Sequence, residues 1–210
     1  MSNITLYGTP VSTYVRTVRL LLAETNVEYS LKDIGIFNGD NKEASYLEKQ
    51  PFGKVPVFEI DREQIYETDA ITYYINEKFA GGKFSPDDLM VRSHMYQIMS
   101  IVNSYLYAPA IGTLTIENLI VPSQGGETDQ KAVESAIAPA QKALRAIEDL
   151  ITGSPYLLGS ELSIADLYLI PIFIYLRQTP QFEAVTANLP KLKAWWQTTQ
   201  NLDTVKAICK

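Results

Sequence analysis

The run Gly81-Gly82-Lys83-Phe84-Ser85-Pro86 sets two glycines and a proline in close succession, and the chain reads differently on its two sides. Before it, short β-prone stretches alternate with helical periodicity; after it, no stretch reads convincingly as a strand. One kind of packed layer does not accommodate both patterns. The break therefore predicts a mixed α/β domain over residues 1–80, a linker at 81–86 and an all-helical domain over residues 87–210.

In the first part, Ile4 to Tyr7 predicts a strand that stops at Gly8-Thr9-Pro10, and Val15, Val18, Leu21 and Leu22 then recur at helical spacing. Glu28 to Ile34 predicts a second strand after Asn26. A polar stretch, Asn38 to Lys49, leads to Pro51-Phe52-Gly53. Val55 to Ile60 and Gln64 to Tyr66 then predict a hairpin across Asp61-Arg62-Glu63. From Thr68 to Phe79, residues Ala70, Ile71, Tyr74, Ile75 and Phe79 fall on one helical face. The order is βαβ, then ββα. Beyond the break, helices are predicted over Met90 to Leu119, through Val133, Leu144 and Ile151, over Ile164 to Arg177, and in two shorter pieces, Lys191 to Thr199 and Leu202 to Ile208.

Composition narrows function by exclusion. A formal net charge of −6 with no concentrated basic face argues against nucleic acid as a partner. The longest apolar run, Leu167 to Leu176, contains Pro171 and falls far short of the ~20 residues a membrane span needs, so it reads as a buried helix and no membrane partner is expected. Met-Ser-Asn-Ile-Thr enters a strand directly, with neither a basic nor an apolar leader segment, which points to a cytoplasmic location. Cys209 is the single cysteine and His94 the single histidine. An internal disulfide is excluded, a histidine triad would hang on one residue, and no metal is expected.

The motifs are sharper than the layout. Ile4-Thr5-Leu6-Tyr7-Gly8-Thr9-Pro10-Val11-Ser12 resembles the first strand and serine turn of the plant-type phi class of glutathione transferases. Pro51-Phe52-Gly53-Lys54-Val55-Pro56-Val57-Phe58 resembles the segment before and within that family's third strand, and Glu67-Thr68-Asp69-Ala70-Ile71 resembles its Glu-Ser-x-Ala-Ile helix start. The likeness continues through Thr128-Asp129-Gln130 and Leu157 to Asp166. It implies the glutathione transferase fold, a thioredoxin-like domain that holds glutathione followed by a helical domain that supplies a pocket for a hydrophobic electrophile. It also implies a homodimer, and detoxification or stress response as the setting.

Ser12 lies where the first helix opens, among unpaired N–H groups and the positive dipole end, which favour an anion. Free thiols have pKa near 8.5, and lowering one by about two units takes on the order of 2.7 kcal/mol of preferential stabilisation of the anion. A hydroxyl donor beside a helix terminus is able to supply it, and the resemblance implies that role for Ser12. The alternative is that Ser12 only caps the helix; Thr9 as N-cap with Pro10 behind it competes for that task and would leave Ser12 free. Thr13 and Tyr7 are reserve donors.

The resemblance further implies a cis Val55–Pro56 peptide whose Val55 N–H and C=O receive the cysteinyl part of glutathione like an added strand. Glu67 and Thr68 open the next helix, suited to the γ-glutamyl end, with Asp69 either supporting the dipole or joining that network. Lys42 matches a contact for the glycine carboxylate, and Lys54 stands where the family has glutamine. The histidine usual beside that lysine is Asn41 here. Ser163-Ile164-Ala165-Asp166 reads as a capping box, with a structural role for Asp166. Phe52 is, by resemblance, an aromatic key for a partner subunit, or else a core residue of its own domain. Tyr14, Tyr105, Tyr107 and Ile111 are candidates for the electrophile pocket, against the alternative of ordinary core.

The leading expectation is attack of the glutathione thiolate on an electrophilic carbon, with reduction of organic hydroperoxides as a second activity. Zeta-type isomerisation is disfavoured because Ser12-Thr13-Tyr14 stands where Ser-Ser-Cys is expected. The non-enzyme alternative is a binding or scaffold module that keeps the fold without turnover.

Overall fold

The computed structural model of the protein describes residues 3–209. The chain divides into two compact units, one reaching Lys83 and including the chain from Lys206 onward, the other running Phe84–Val205.

The first unit is built in the order β1 (Ile4–Tyr7), α1 (Thr13–Glu24), β2 (Ser30–Lys32), a 3₁₀ turn Asp40–Lys42, α2 (Ala44–Leu47), β3 (Val57–Ile60), β4 (Glu63–Tyr66) and α3 (Thr68–Ala80). The sheet order is β2-β1-β3-β4, parallel between β1 and β2 and antiparallel elsewhere. This is the thioredoxin-like arrangement expected from βαβ-ββα. Val15, Val18, Leu21 and Leu22 of α1 are all fully buried, as are Leu6 and Phe58, which face one another across β1 and β3. Tyr7, Val57 and Tyr46 form a second cluster, flanked by Ile34 and Val55. The β3–β4 hairpin turns on Asp61 and Arg62, both with positive φ (49° and 78°), as a two-residue type I′ turn requires. Asp61 Oδ1 accepts from Asn3 N–H at 3.0 Å and ties the turn to the start of β1.

The periodicity of α3 is displaced from expectation. Its buried face is Thr68, Ile71, Thr72, Ile75 and Asn76, while Ala70 is exposed and Tyr74 and Phe79 are half-buried. Burying Thr72 is tolerable because its hydroxyl donates to the Thr68 carbonyl at 2.8 Å. Within Asn38 to Lys49 the structure adds the 3₁₀ turn and α2, both too short to show a hydrophobic period.

The second unit is helical. After α4 (Leu89–Ile101), the single long helix expected to Leu119 loosens into wider winding over Val102–Leu106 and Ala108–Ile120, with i→i−5 bonds such as Tyr107 N–H to Val102 O. Then follow α5 (Val121–Ser123), α6 (Gln130–Leu150), α7 (Ile164–Leu176), α8 (Phe182–Val185) and α9 (Pro190–Thr199), and last α10 (Asp203–Ile208), whose residues from Lys206 onward belong to the first unit. In α7 every residue from Ile164 to Ile174 is buried, as an all-round apolar helix must be. No helix of the described residues is long and apolar enough to cross a membrane.

Two buried carboxylates organise this unit. Asp166 accepts four hydrogen bonds, from Ser163 N–H (2.8 Å), Ser163 Oγ (2.6 Å), Leu157 N–H (2.9 Å) and Trp195 Nε1 (2.7 Å). Burial pushes its carboxyl above the ordinary aspartate value, and those four donors oppose the rise. Glu148 of α6 takes the N–H groups of Lys191 (2.9 Å) and Leu192 (2.8 Å) and so closes the open end of α9 from another helix.

Candidate functional site

Lys32, Tyr7, Val57 and Tyr66 form one row across the sheet, since Tyr7 pairs with both Lys32 and Val57, and Val57 pairs with Tyr66. Neighbouring strands lie about 4.8 Å apart. The segments that leave this row therefore emerge side by side at one edge of the sheet. They are the β1–α1 turn with Ser12, the approach to β3 with Val55 and Pro56, and the start of α3 with Glu67 and Thr68.

Ser12 is the N-cap of α1, with extended backbone (φ −67°, ψ 133°), and its Oγ accepts from Val15 N–H at 3.5 Å. The expectation that Thr9 and Pro10 would start the helix is corrected: α1 begins at Thr13. Capping and donation are nonetheless not rivals. A hydroxyl has two acceptor lone pairs and one proton, and the cap uses only a lone pair. The Ser12 proton has no acceptor among the described residues. Arg16, buried in the same turn, donates from Nε to Pro10 O at 3.1 Å and holds the loop against its own helix.

The reserve donors differ from Ser12. The Tyr7 hydroxyl donates to Glu59 Oε2 at 3.3 Å, and Glu59 sits opposite Thr5, back along the strand from the turn. Gln64 Nε2 at 2.7 Å and then Lys49 Nζ at 3.5 Å hold the Glu59 carboxyl below its ordinary value. Lys32 and Lys49 bring their ammonium groups to 5.3 and 5.0 Å from the Tyr7 ring centre. Tyr7 is thus engaged on the sheet face. Thr13 Oγ1 is buried with no hydrogen-bond partner among the described residues.

The Val55–Pro56 peptide is cis. Neither the N–H nor the C=O of Val55 has a partner among the described residues, whereas the residues just before it are tightly bonded. Asn41 Nδ2 donates to Gly53 O at 2.7 Å, the Tyr46 hydroxyl donates to Lys54 O at 2.6 Å, and Gln50 Oε1 accepts from Phe52 N–H (2.7 Å) and Lys54 N–H (3.1 Å). Motif reading missed Tyr46 and Gln50, because their work is done on backbone groups. Asn41 stands in the place of the family's histidine and braces the turn that precedes Val55. Lys42 and Lys54 both carry exposed side chains.

Glu67 precedes α3 with φ 68° and ψ 120°, a rare conformation for a glutamate, and its side chain makes no capping hydrogen bond. The first turn of α3 therefore receives no capping bond from its N-cap side chain, and Thr68 beside it is buried. Asp69 lies exposed in that turn.

The remaining candidates are dispersed. Phe52 is 68% exposed, with its ring edge-on to Tyr66 at 6.3 Å, which overturns the alternative of a core residue of its own domain. Tyr14 is half-buried on α1. In the second unit Ile111 is buried, Tyr107 half-buried and Tyr105 67% exposed, so these three do not share one buried stripe. No cluster of three or more His, Cys, Asp or Glu among the described residues is placed to hold a metal ion.

Comparison with known proteins agrees with this layout unit by unit. Residues 6–83 match the family described as the glutathione S-transferase N-terminal domain, and residues 94–203 match the glutathione S-transferase C-terminal domain. Glutathione S-transferase 1 of Triticum aestivum is 30% identical, across 100% of this chain and 95% of its own length. A glutathione transferase crystal structure from Populus trichocarpa superposes with a TM-score of 0.84 at 32% identity, covering 98% of this chain and 97% of that one. Glutathione S-transferase I from maize, solved with an atrazine glutathione conjugate, superposes with a TM-score of 0.83 at 26% identity, covering 99% and 96%. With both units matched along nearly their whole length, the chain belongs to the glutathione S-transferase family, in the plant-type serine branch that its opening turn resembles.

Proposed function

We propose that Ser12 activates the cosubstrate of this glutathione S-transferase, and that residues 1–80 and 87–210 divide the work of holding glutathione and receiving a hydrophobic electrophile. One observation carries the reading: Ser12 spends an oxygen lone pair on capping α1 and keeps its proton to give, at the positive end of a helix of 12 residues.

Around that proton the other segments of the edge have complementary tasks. Val55 offers a donor and an acceptor on its main chain for a cysteinyl backbone. The first turn of α3 with Thr68 receives a carboxylate, and Glu67 addresses an ammonium. Lys42 and Lys54 attract the anionic glycine end locally, against a chain of net charge −6. Glutathione supplies the sulfur that forms the new bond to an electrophilic carbon as its leaving group departs, its thiol proton going to water. Ser12 donates to that sulfur without becoming a nucleophile, and the helix end favours the anion over the thiol. With a hydroperoxide as second substrate the same sulfur takes the terminal oxygen, and a second glutathione completes reduction to alcohol, water and glutathione disulfide.

The atrazine glutathione conjugate held by the maize relative supports a small organic electrophile as the second substrate. Tyr14, Tyr105, Tyr107 and Ile111 are proposed to line that part of the site. A homodimer keyed by the exposed Phe52 and a cytoplasmic location complete the proposal; the single, buried cysteine suits a reducing compartment.

The test is conjugation of glutathione to a generic aryl halide, with wild type beside Ser12→Ala, followed across pH. Loss of the donor is expected to lower kcat/KM by about 10²-fold or more and to move the thiol's apparent ionisation upward. A variant with the wild-type rate and profile would shift the donor role away from position 12.

A further inference from the structure

We infer that Gln50 is a positioning residue for glutathione recognition, holding the turn that delivers the Val55 main chain. The inference rests on Val55 being the edge that glutathione pairs with.

Three consecutive N–H groups converge on this one residue. Its side-chain oxygen accepts from Phe52 N–H at 2.7 Å and Lys54 N–H at 3.1 Å, and its own carbonyl accepts from Gly53 N–H at 3.0 Å. The carbonyls are held from the other side, Gly53 O by Asn41 Nδ2 at 2.7 Å and Lys54 O by the Tyr46 hydroxyl at 2.6 Å. From Gly53 through Lys54 every backbone polar group is thus committed, and Val55 is the first residue whose pair is open. Gly53 has φ +60°, and a β-carbon there would stand 2.8 Å from Asn41 O, so the turn has little room to be made another way.

Gln50 is only 1% exposed. Burying a primary amide costs free energy unless it is bonded, and an apolar side chain would fill the same space without that cost. The turn it braces contributes no pairing to the sheet, since β3 starts at Val57. What the brace delivers is the direction of the Val55 N–H and C=O. Without it the turn must be ordered at each binding event, and that cost falls on glutathione affinity rather than on the chemical step.

The experiment measures glutathione binding by titration calorimetry, with steady-state KM for each substrate, for wild type, Gln50→Ala and Gln50→Glu. Gln50→Ala is expected to raise Kd and KM for glutathione about tenfold, with kcat and the electrophile's KM within about twofold. Gln50→Glu retains an acceptor for both N–H groups and is expected to recover most of the affinity, a rescue that generalised loosening of the fold would not produce. Equal affinity in wild type and Gln50→Ala overturns the inference and leaves the site reading intact; wild type that binds no glutathione takes both down. Should Gln50→Ala not fold, Gln50→Met keeps the side chain's length while removing its acceptor oxygen, and an unchanged glutathione KM there overturns the inference.

Discussion

Gly8 lies against Val15 so closely that a β-carbon at position 8 would stand 2.5 Å from Val15 Cγ2, and 3.4 Å from the β-carbon of Val55. The residue without a side chain is what lets the serine turn and the Val55 approach share one edge of the sheet. Val15 is fully buried, so it has no direction in which to retreat. Gly8→Ala is expected to cost about 1–3 kcal/mol of stability and to weaken glutathione binding by displacing both segments together. Urea denaturation and a glutathione titration on the same preparation check it; an alanine variant with wild-type values in both would mean the turn yields freely.

Asp166 draws together the segment at Leu157, the cap of α7 and the indole of Trp195. Truncating it leaves buried donors without an acceptor, at about 1–3 kcal/mol for each that fails to find another. Asp166→Ala should therefore lose about 3 kcal/mol or more of stability. Asp166→Asn should also be destabilised, because its amide turns N–H groups toward Ser163 N–H or toward the indole. Denaturation followed by tryptophan fluorescence measures both, and glutathione affinity in whatever remains folded should be unchanged.

Much of this arrangement is legible in the residues, and what is not has identifiable causes. Ile4–Tyr7, the Asp61-Arg62 hairpin and the capping box at Ser163 announce themselves through local chemistry, by β-propensity, turn residues and Ser-x-x-Asp spacing. The buried face of α3 does not, because Thr72 and Asn76 are polar and Thr72 satisfies its hydroxyl within its own helix. The start of α1 is misjudged because proline at position 10 mimics a first helical residue, while the helix waits for Ser12. Gln50 and Tyr46 act on backbone groups two to eight residues away that no side-chain pattern encodes. Phe52 shows the same limit from the opposite side, since an aromatic beside Pro-x-Gly reads alike whether it points inward or out.

Cys209 is a thiol whose titration has a predictable direction. Burial raises its pKa, and the charges of Arg16 and then Arg19 only partly oppose that. A folded-state pKa above the unfolded one means the thiol adds stability in full below the ordinary thiol range, about 8.5, and loses that contribution as pH rises beyond it, because the unfolded chain ionises first. The stability difference between wild type and Cys209→Ala should therefore shrink from pH 7 to pH 10. Alkylation at neutral pH should be slow in the native protein and fast in denaturant; a rapid native reaction would contradict the burial.

Thr68 separates affinity from chemistry. Its carbonyl is engaged by Thr72, but its side chain stands in a helix start whose N-cap residue, Glu67, makes no side-chain capping bond. A hydroxyl bonded to a carboxylate is worth about 1.5–3 kcal/mol, so Thr68→Val should raise the glutathione KM by roughly ten- to hundredfold with kcat nearly preserved. The split between KM and kcat is the readout, and a fall in kcat with KM unchanged would place Thr68 at the sulfur instead.

Phe52 carries the quaternary proposal. Its ring is 68% exposed and rests edge-on against Tyr66, itself 38% exposed, on a turn fixed by Gln50 and Asn41. A rigidly presented aromatic loses little conformational entropy on docking, and such residues dominate interface energies when a partner pocket desolvates them. At about 25 cal/mol per Å² of apolar surface removed from water, an anchored phenylalanine is worth roughly 2 kcal/mol or more, which is about thirtyfold in a dissociation constant. Phe52→Ala should leave the monomer folded, since the ring contributes little to its own core, and should shift sedimentation toward monomer at concentrations where wild type is dimeric. A wild-type chain that sediments as a monomer at every concentration would remove the dimer from the proposal, and an alanine variant that loses stability without changing assembly would return Phe52 to its own unit.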